Sequence, residues 1–373
     1  MKRFLALFLS VALLFSLVAC GNDTANNSDI ANSSSTQSED KTSSTTSGSN
    51  SSDTSSNNSS QTSSSVSTPI SSITSSNTGK IEQPKFPVST TDVYSNQVVR
   101  YELNDQCKGY YFTPKAKGKY PTVIIMHGQG NVQRFKERLL SNFNNWVKQG
   151  YLPPMVVVMP EVLTSYGPGS STSESDIDDF QYFIYKSNIK RFSALLKSIE
   201  KGTLSPQIDT SIQPYVSGFS MGGMAALHAG AEYRTRIKKI GALSPAKAFY
   251  LGEGKYGTYQ YASDIQFSKD PDARVYLSAG EAEVDFEGKP GFIESINRYE
   301  KAIQFNNSAI LTKFVAPASW GGHSFAMAQK EIFMFLYFVT FDKVPDNALV
   351  EAICNNPDDY KIPTVVKVEE EHV

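Results

Sequence analysis

Between residues 122 and 341 the chain alternates short apolar runs with stretches of helical periodicity. The runs are Thr122–Met126, Met155–Pro160, Tyr215–Val216, Ile237–Leu243, Arg274–Ala279 and Ile310–Val315. Uninterrupted apolar runs suit strands covered on both faces. Between them, Arg134–Gln149 repeats Phe135, Leu139, Leu140, Phe143 and Trp146 at spacings of three and four, as an amphipathic helix does. Asp176–Ile199, Glu294–Phe305 and Ser324–Phe341 read as further helices, and Val98–Leu103 with Gly109–Phe112 as a leading strand pair. Strands alternating with helices predict an α/β domain with a mostly parallel central sheet and helices on both faces. Sites in such sheets lie beyond the carboxyl ends of the strands.

Beyond the run Gln213–Ser217 stands Gly218-Phe219-Ser220-Met221-Gly222-Gly223, and the helix former Met224-Ala225-Ala226-Leu227-His228 follows. A serine on a sharp strand-to-helix turn projects its hydroxyl away from the backbone, where a base and a carbonyl both reach it. The same glycines also suit a plain packing turn, so the partners decide between the two. A base is needed because a serine hydroxyl is a weak nucleophile at its own pKa. Four histidines are available. His372 sits in a charged tail. His228 lies eight residues past Ser220 on the same helix, roughly 12 Å along its axis. His127 ends a buried run ahead of Gly128-Gln129-Gly130, a place suited to holding that loop. His323, in Trp320-Gly321-Gly322-His323-Ser324, follows the last strand at the same sheet edge as Ser220 and is the expected base.

A carboxylate that fixes the imidazole comes between serine and histidine in this architecture. Gly280-Glu281-Ala282-Glu283-Val284-Asp285 follows a strand and offers three acids. Glu283 is the first choice, Asp285 the reserve and Glu281 the third. An oxyanion needs backbone donors. Those expected are the Met221 N–H at the helix start and an N–H of the Gly128–Gln129 loop.

The chain is not uniform. Residues 21–83 are nearly all Ser, Thr, Asn, Asp and Gln and lack the apolar surface to offset ordering entropy, so they are expected to be a disordered tether. The stretch 84–365, roughly 280 residues, has the size of one large α/β domain, and 366–373 is a charged tail. With 35 basic and 37 acidic residues and no basic cluster interleaved with aromatics, nothing points to nucleic acid. No CxxC or HExxH spacing supports a metal site, and no cofactor is expected. At the start, Met1-Lys2-Arg3 precedes the apolar run Phe4–Ala19, too short for a comfortable membrane span. The run ends in Leu17-Val18-Ala19-Cys20, which resembles the lipobox of bacterial lipoproteins. That resemblance implies that residues 1–20 are a signal peptide with Cys20 as the lipidated residue, and that the protein is membrane-anchored and extracytoplasmic. Cys107 and Cys354 remain, as a disulfide pair or as two buried thiols.

Together, His127-Gly128, Gly218-Phe219-Ser220-Met221-Gly222-Gly223, Gly241-Ala242-Leu243-Ser244-Pro245, Gly280 with Glu283, and Gly321-Gly322-His323-Ser324-Phe325 resemble a known esterase family. It includes esterase D, the feruloyl esterases and the mycolyltransferase antigens, and the resemblance spans roughly residues 95–342. It implies an α/β-hydrolase without a cofactor that cleaves carboxylic esters, often on sugars or polysaccharide-linked phenolics. The acid is Glu here, where the family more commonly has Asp, and Leu251–Asp272 matches no family motif.

The expectation is a surface-tethered serine esterase acting on a small-molecule or polysaccharide-linked ester. The alternatives are a non-catalytic carbohydrate- or partner-binding lipoprotein, and an acyltransferase or peptidase using the same three groups. Tyr166, Phe249, Tyr250, Tyr256, Tyr259 and Tyr261 are candidates to stack on sugar or phenolic rings, or to pack the core. Cys20→Ala is expected to move the protein from the membrane to the soluble fraction; unchanged fractionation would refute the anchor.

Overall fold

The computed structural model describes residues 84–129, 132–162, 177–246, 266–284, 288, 290–307, 310–354 and 361–367. Among the described residues nine strands form one sheet: β1 Gln97–Asn104, β2 Cys107–Phe112, β3 Thr122–Met126, β4 Val156–Pro160, β5 Tyr215–Phe219, β6 Lys239–Leu243, β7 Arg274–Gly280, β8 Leu311–Ala316 and β9 Thr364–Lys367. Their spatial order is β8-β7-β6-β5-β3-β4-β2-β1-β9. From β4 through β8 every neighbouring pair is parallel, and β2 pairs antiparallel with both β4 and β1. The sheet is therefore mostly parallel, and its strand ends share one edge.

The α-helices of the described residues that cover it are α1 Val132–Lys148, α2 Ile177–Glu200, α3 Met221–Glu232, α4 Gly291–Asn307, α5 Phe325–Phe341 and α6 Asn347–Cys354. Successive side chains of a strand point to opposite faces. Val123, Ile125, Val157 and Met159 pack with α1, α5 and α6, whereas Ile124, Met126, Val156 and Val158 pack with α2, α3 and α4. That two-sided burial is why β3 and β4 read as continuous apolar runs rather than alternating ones. In α5 every residue from Met327 to Val339 is buried, because the helix lies between the sheet and its neighbours α1 and α6.

Two elements carry no clear sequence signal. Helix α6 has only eight residues, and Asn145 Nδ2 donates to its Ile353 carbonyl at 3.1 Å. Strand β9 is exposed along its whole length and pairs parallel with β1, taking in Val366 and Lys367 of the charged tail. Cys107 and Cys354 are both buried free thiols, so of the two readings the pair of separate thiols holds. Burial pushes the Cys107 thiol up to about 11 and the Cys354 thiol further up. The segment 1–83 with Cys20, Gly130, residues 163–176 with Tyr166, the aromatic residues Phe249 to Tyr261, Asp285 and His372 lie outside the described residues.

His127 and His228 are buried, which lowers their pKa from 6.5 to about 4 and about 3 respectively. The folded protein thus excludes protons that the unfolded chain binds below about pH 6.5. Stability is full above that pH and is lost as the pH falls toward the folded values, by on the order of 3 kcal/mol for each group. Urea-unfolding free energies measured between pH 7 and 4.5 are expected to fall on the acid side, and His127→Gln to flatten the slope. A parent stability independent of pH in this window would contradict the account.

Candidate active site

The parallel strands deliver chemistry-bearing residues to one edge. Ser220 follows β5, Ser244 follows β6, Glu283 lies three residues past β7, and His323 lies between β8 and α5. Ser220 sits at φ 59° and ψ −120°, a strained backbone for a residue with a Cβ. The surroundings hold it there. Its N–H donates to the Leu243 carbonyl at 2.9 Å, and its carbonyl accepts the N–H groups of Met224 at 3.2 Å and Ala246 at 3.0 Å. Gly222 makes the turn possible, since a Cβ there would collide with the carbonyls of Met126 and His127. Ser220 then stands at the N-terminus of α3, where unpaired backbone N–H groups and the positive end of the helix dipole face it.

The loop after β3 closes on the serine from the other side. A Cβ on Gly128 would come within 3.0 Å of the Ser220 Cβ, so only a glycine leaves the hydroxyl this free. Gln129, the residue after Gly128, is exposed, and Met221, the residue after Ser220, is half-buried. His127 fixes the first of these loops. Its Nδ1–H donates to the Gly128 carbonyl at 2.7 Å, and its Nε2 accepts the Val162 N–H at 3.2 Å. Both bonds need the neutral ring, and burial keeps it neutral. His127 thus ties the end of β3 to the end of β4.

Of the acids after β7, Glu283 meets the imidazole. His323 Nδ1 lies 2.8 Å from Glu283 Oε1. Glu283 is fully buried, whereas Glu281 is exposed. Glu283 Oε2 accepts the Gly280 N–H at 2.6 Å and lies 2.5 Å from Ser244 Oγ. An acceptor at Nδ1 places that nitrogen's hydrogen inward and leaves Nε2 as the acceptor. The ring itself is held flat between two phenyl groups, Phe219 at 4.4 Å with a 21° tilt and Phe292 of α4 at 3.9 Å with a 12° tilt. Phe219 directly precedes Ser220, so the imidazole stacks on the residue next to the serine. Trp320, three residues before His323, is buried, and its Nε1–H donates to Glu351 of α6 at 3.1 Å. His228 is buried on α3, eight positions past Ser220.

Sequence reading passed over two participants. Ser244 closes a strand within the Gly241–Pro245 piece, but nothing in that piece gives it a chemical role. Yet it adopts φ 40°, and its Oγ lies 3.0 Å from Glu331 Oε2 as well as against Glu283. Glu331 lies in the middle of buried α5. The signal that marks it is the polar triplet Gln329-Lys330-Glu331 inside an otherwise apolar helix. Among the described residues no group of three or more His, Cys, Asp or Glu stands together as a metal site.

An imidazole braced by a buried carboxylate and stacked on the residue that precedes a serine at a helix start is an arrangement suited to attack on a carbonyl. Comparison with known proteins agrees in fold and family. No curated protein matches the sequence. Among solved structures, a CE1 ferulic acid esterase from the anaerobic fungus Anaeromyces mucronatus superposes with a TM-score of 0.52 at 18% identity, covering 69% of this chain and 97% of that one. The same fungal enzyme in complex with ferulic acid gives 0.51 at 17% identity, with the same coverage. At such identities the likeness speaks for a shared fold. A family model, described as Putative esterase, matches residues 102–333, from within β1 to the middle of α5, and so takes in the serine turn, Glu283 and His323. The chain belongs to that esterase family and is a carboxylic ester hydrolase of the α/β-hydrolase fold.

Proposed function

We propose that the protein cleaves its ester through Ser220, His323 and Glu283. The observation that carries this reading is the 2.8 Å contact from His323 Nδ1 to a fully buried Glu283, on a ring stacked against the residue preceding Ser220. In the first step the Ser220 hydroxyl attacks the ester carbonyl and its proton passes to His323 Nε2. The backbone N–H groups of Met221 and Gln129 receive the oxyanion. His323 then returns the proton to the departing alcohol, leaving an acyl-serine. Water gives a proton to His323 and attacks the acyl group; the bond to Ser220 Oγ then breaks, His323 returns the proton to that oxygen, and the acid is released. Glu283 stays ionised throughout and stabilises the imidazolium. The rings of Phe219 and Phe292 add to this, since their faces attract a cation.

For the substrate we propose an ester on a carbohydrate or phenolic sugar. The fungal esterase of like fold binds ferulic acid. Here Phe292 and the exposed Val284, next to Glu283, give the rim of the site an apolar side suited to an aromatic ring. For location we propose a lipid anchor at Cys20, with residues 21–83 as the tether. The basic start, the short apolar run and the Leu-Val-Ala-Cys ending support it.

Ser220→Ala is expected to lower kcat on p-nitrophenyl acetate by at least about 10³-fold and to abolish labelling by a fluorophosphonate. A purified variant as fast as the parent would exclude the serine mechanism. Adding an alcohol or amine acceptor and analysing products separates hydrolysis from acyl transfer. Phe292→Leu is expected to lower kcat by about 3- to 30-fold with a smaller change in KM, because the stacked ring acts on the imidazolium. A change confined to KM would instead assign Phe292 to substrate binding alone.

A further inference from the structure

Behind Glu283 the sheet edge buries a second carboxyl. Glu331 is 0% exposed, on the turn of α5 that faces the ends of β6 and β7. Between the two acids stands one hydroxyl. Ser244 Oγ lies 2.5 Å from Glu283 Oε2 and 3.0 Å from Glu331 Oε2. Its backbone is pinned at φ 40° by an N–H bond to the Ser278 carbonyl at 2.7 Å. A hydroxyl carries a single hydrogen and cannot donate to both acids. One of the two contacts therefore uses a hydrogen supplied by a carboxyl group.

The surroundings decide which. Glu283 already accepts from the Gly280 N–H at 2.6 Å and faces His323 at 2.8 Å, the pattern of an ionised carboxylate. Glu331 has less support. The donors beside it are the Ser244 and Ser278 hydroxyls, and its Oε1 is buried with no hydrogen bond of full geometry, which a neutral carbonyl oxygen tolerates far better than a charged one. The groups facing Glu331 are Glu283, the Tyr276 phenol, and the Ser244 and Ser278 hydroxyls. Burial first, and then the charge of Glu283, push its carboxyl well above the usual range.

We propose that Glu331 is a protonated positioning residue: its carboxyl donates to Ser244 Oγ, which turns the Ser244 hydrogen onto Glu283 Oε2 and leaves Glu283 Oε1 to hold His323. The inference rests on the catalytic roles given above to His323 and Glu283. An ionised Glu331 would compete with Glu283 for the one hydroxyl hydrogen. A neutral one removes the competition and sets the direction of the chain. No proton is transferred along it during turnover; the chain fixes an orientation.

The test compares Glu331→Gln, which keeps a neutral donor in the same place, with Glu331→Met, which keeps the volume and removes the donor. For Glu331→Gln the pH profile of kcat/KM is expected to overlay that of the parent, with kcat within about 3-fold. For Glu331→Met, kcat is expected to fall by about 5- to 20-fold with KM nearly unchanged, the effect of one buried hydrogen bond acting through Ser244. Displacement of the acidic limb in Glu331→Gln by about half a pH unit or more would overturn the proposal, because it would mean that a charge was lost. A folded Glu331→Met protein with the parent kcat would overturn it as well. If Glu331→Met does not fold, the Glu331→Gln profile decides alone. Ser220→Ala, run beside these variants, keeps the two readings apart. An active Ser220→Ala sinks the serine mechanism, whereas an inactive one with contrary Glu331 results sinks only this inference.

Discussion

The constraint on which this site depends is the close crossing of α3 over the end of β3. The helix starts so near the strand that the carbonyls of Met126 and His127 occupy the place where a side chain at position 222 would be. With Gly222 there, α3 docks against the sheet, and the backbone at Ser220 is forced into a conformation that an isolated serine would not choose. Packing of α3 across β5 and β6 supplies the compensation, through Ala225, Ala226, Leu227 and Ala229. The exposed hydroxyl is thus a product of the core rather than of the loop that carries it.

A second arrangement follows from the parallel pairing of β5 to β8. Because those strands run the same way, the residues after them emerge side by side although they are far apart in sequence. Ser220 and His323 come from different crossovers, yet the ring of Phe219 lies against the imidazole. The electrostatics are then built in depth. Closest to the surface is the half-buried imidazole, behind it the carboxylate of Glu283, and behind that the hydroxyl of Ser244 and the acid of Glu331. The imidazole keeps some contact with solvent, whereas Glu283, Ser244 and Glu331 are all fully buried, so hydrogen bonds among these three are stronger and an unpaired group there costs more.

What the sequence made legible was whatever local pattern encodes. Runs such as Thr122–Met126 and Val156–Pro160 announce strands covered on both faces, and the glycines around Ser220 announce a turn that no other residues would make. Glu283 was separable from Glu281 and Asp285 only by its distance from a strand-ending glycine, and geometry supplies the reason: its side chain folds back to receive the Gly280 N–H. Ser244 and Glu331 were not legible. Their contact joins positions 87 residues apart; the Gly241–Pro245 piece gives Ser244 no chemical role, and the polar triplet around Glu331 does not say what it faces. Strand β9 escaped for a similar cause, since an exposed edge strand has no buried face to impose a pattern.

The indole of Trp320 carries one more consequence. It is buried three positions before His323 and donates to Glu351 of α6, while Asn145 of α1 holds the end of that helix. Helix α6 therefore braces the segment between β8 and α5 that carries His323. Strain applied at α6 has a mechanical route to the segment that carries His323, through Trp320 and Ser319, which both reach Glu351, and to α5 through Gln329, which donates to the Cys354 carbonyl.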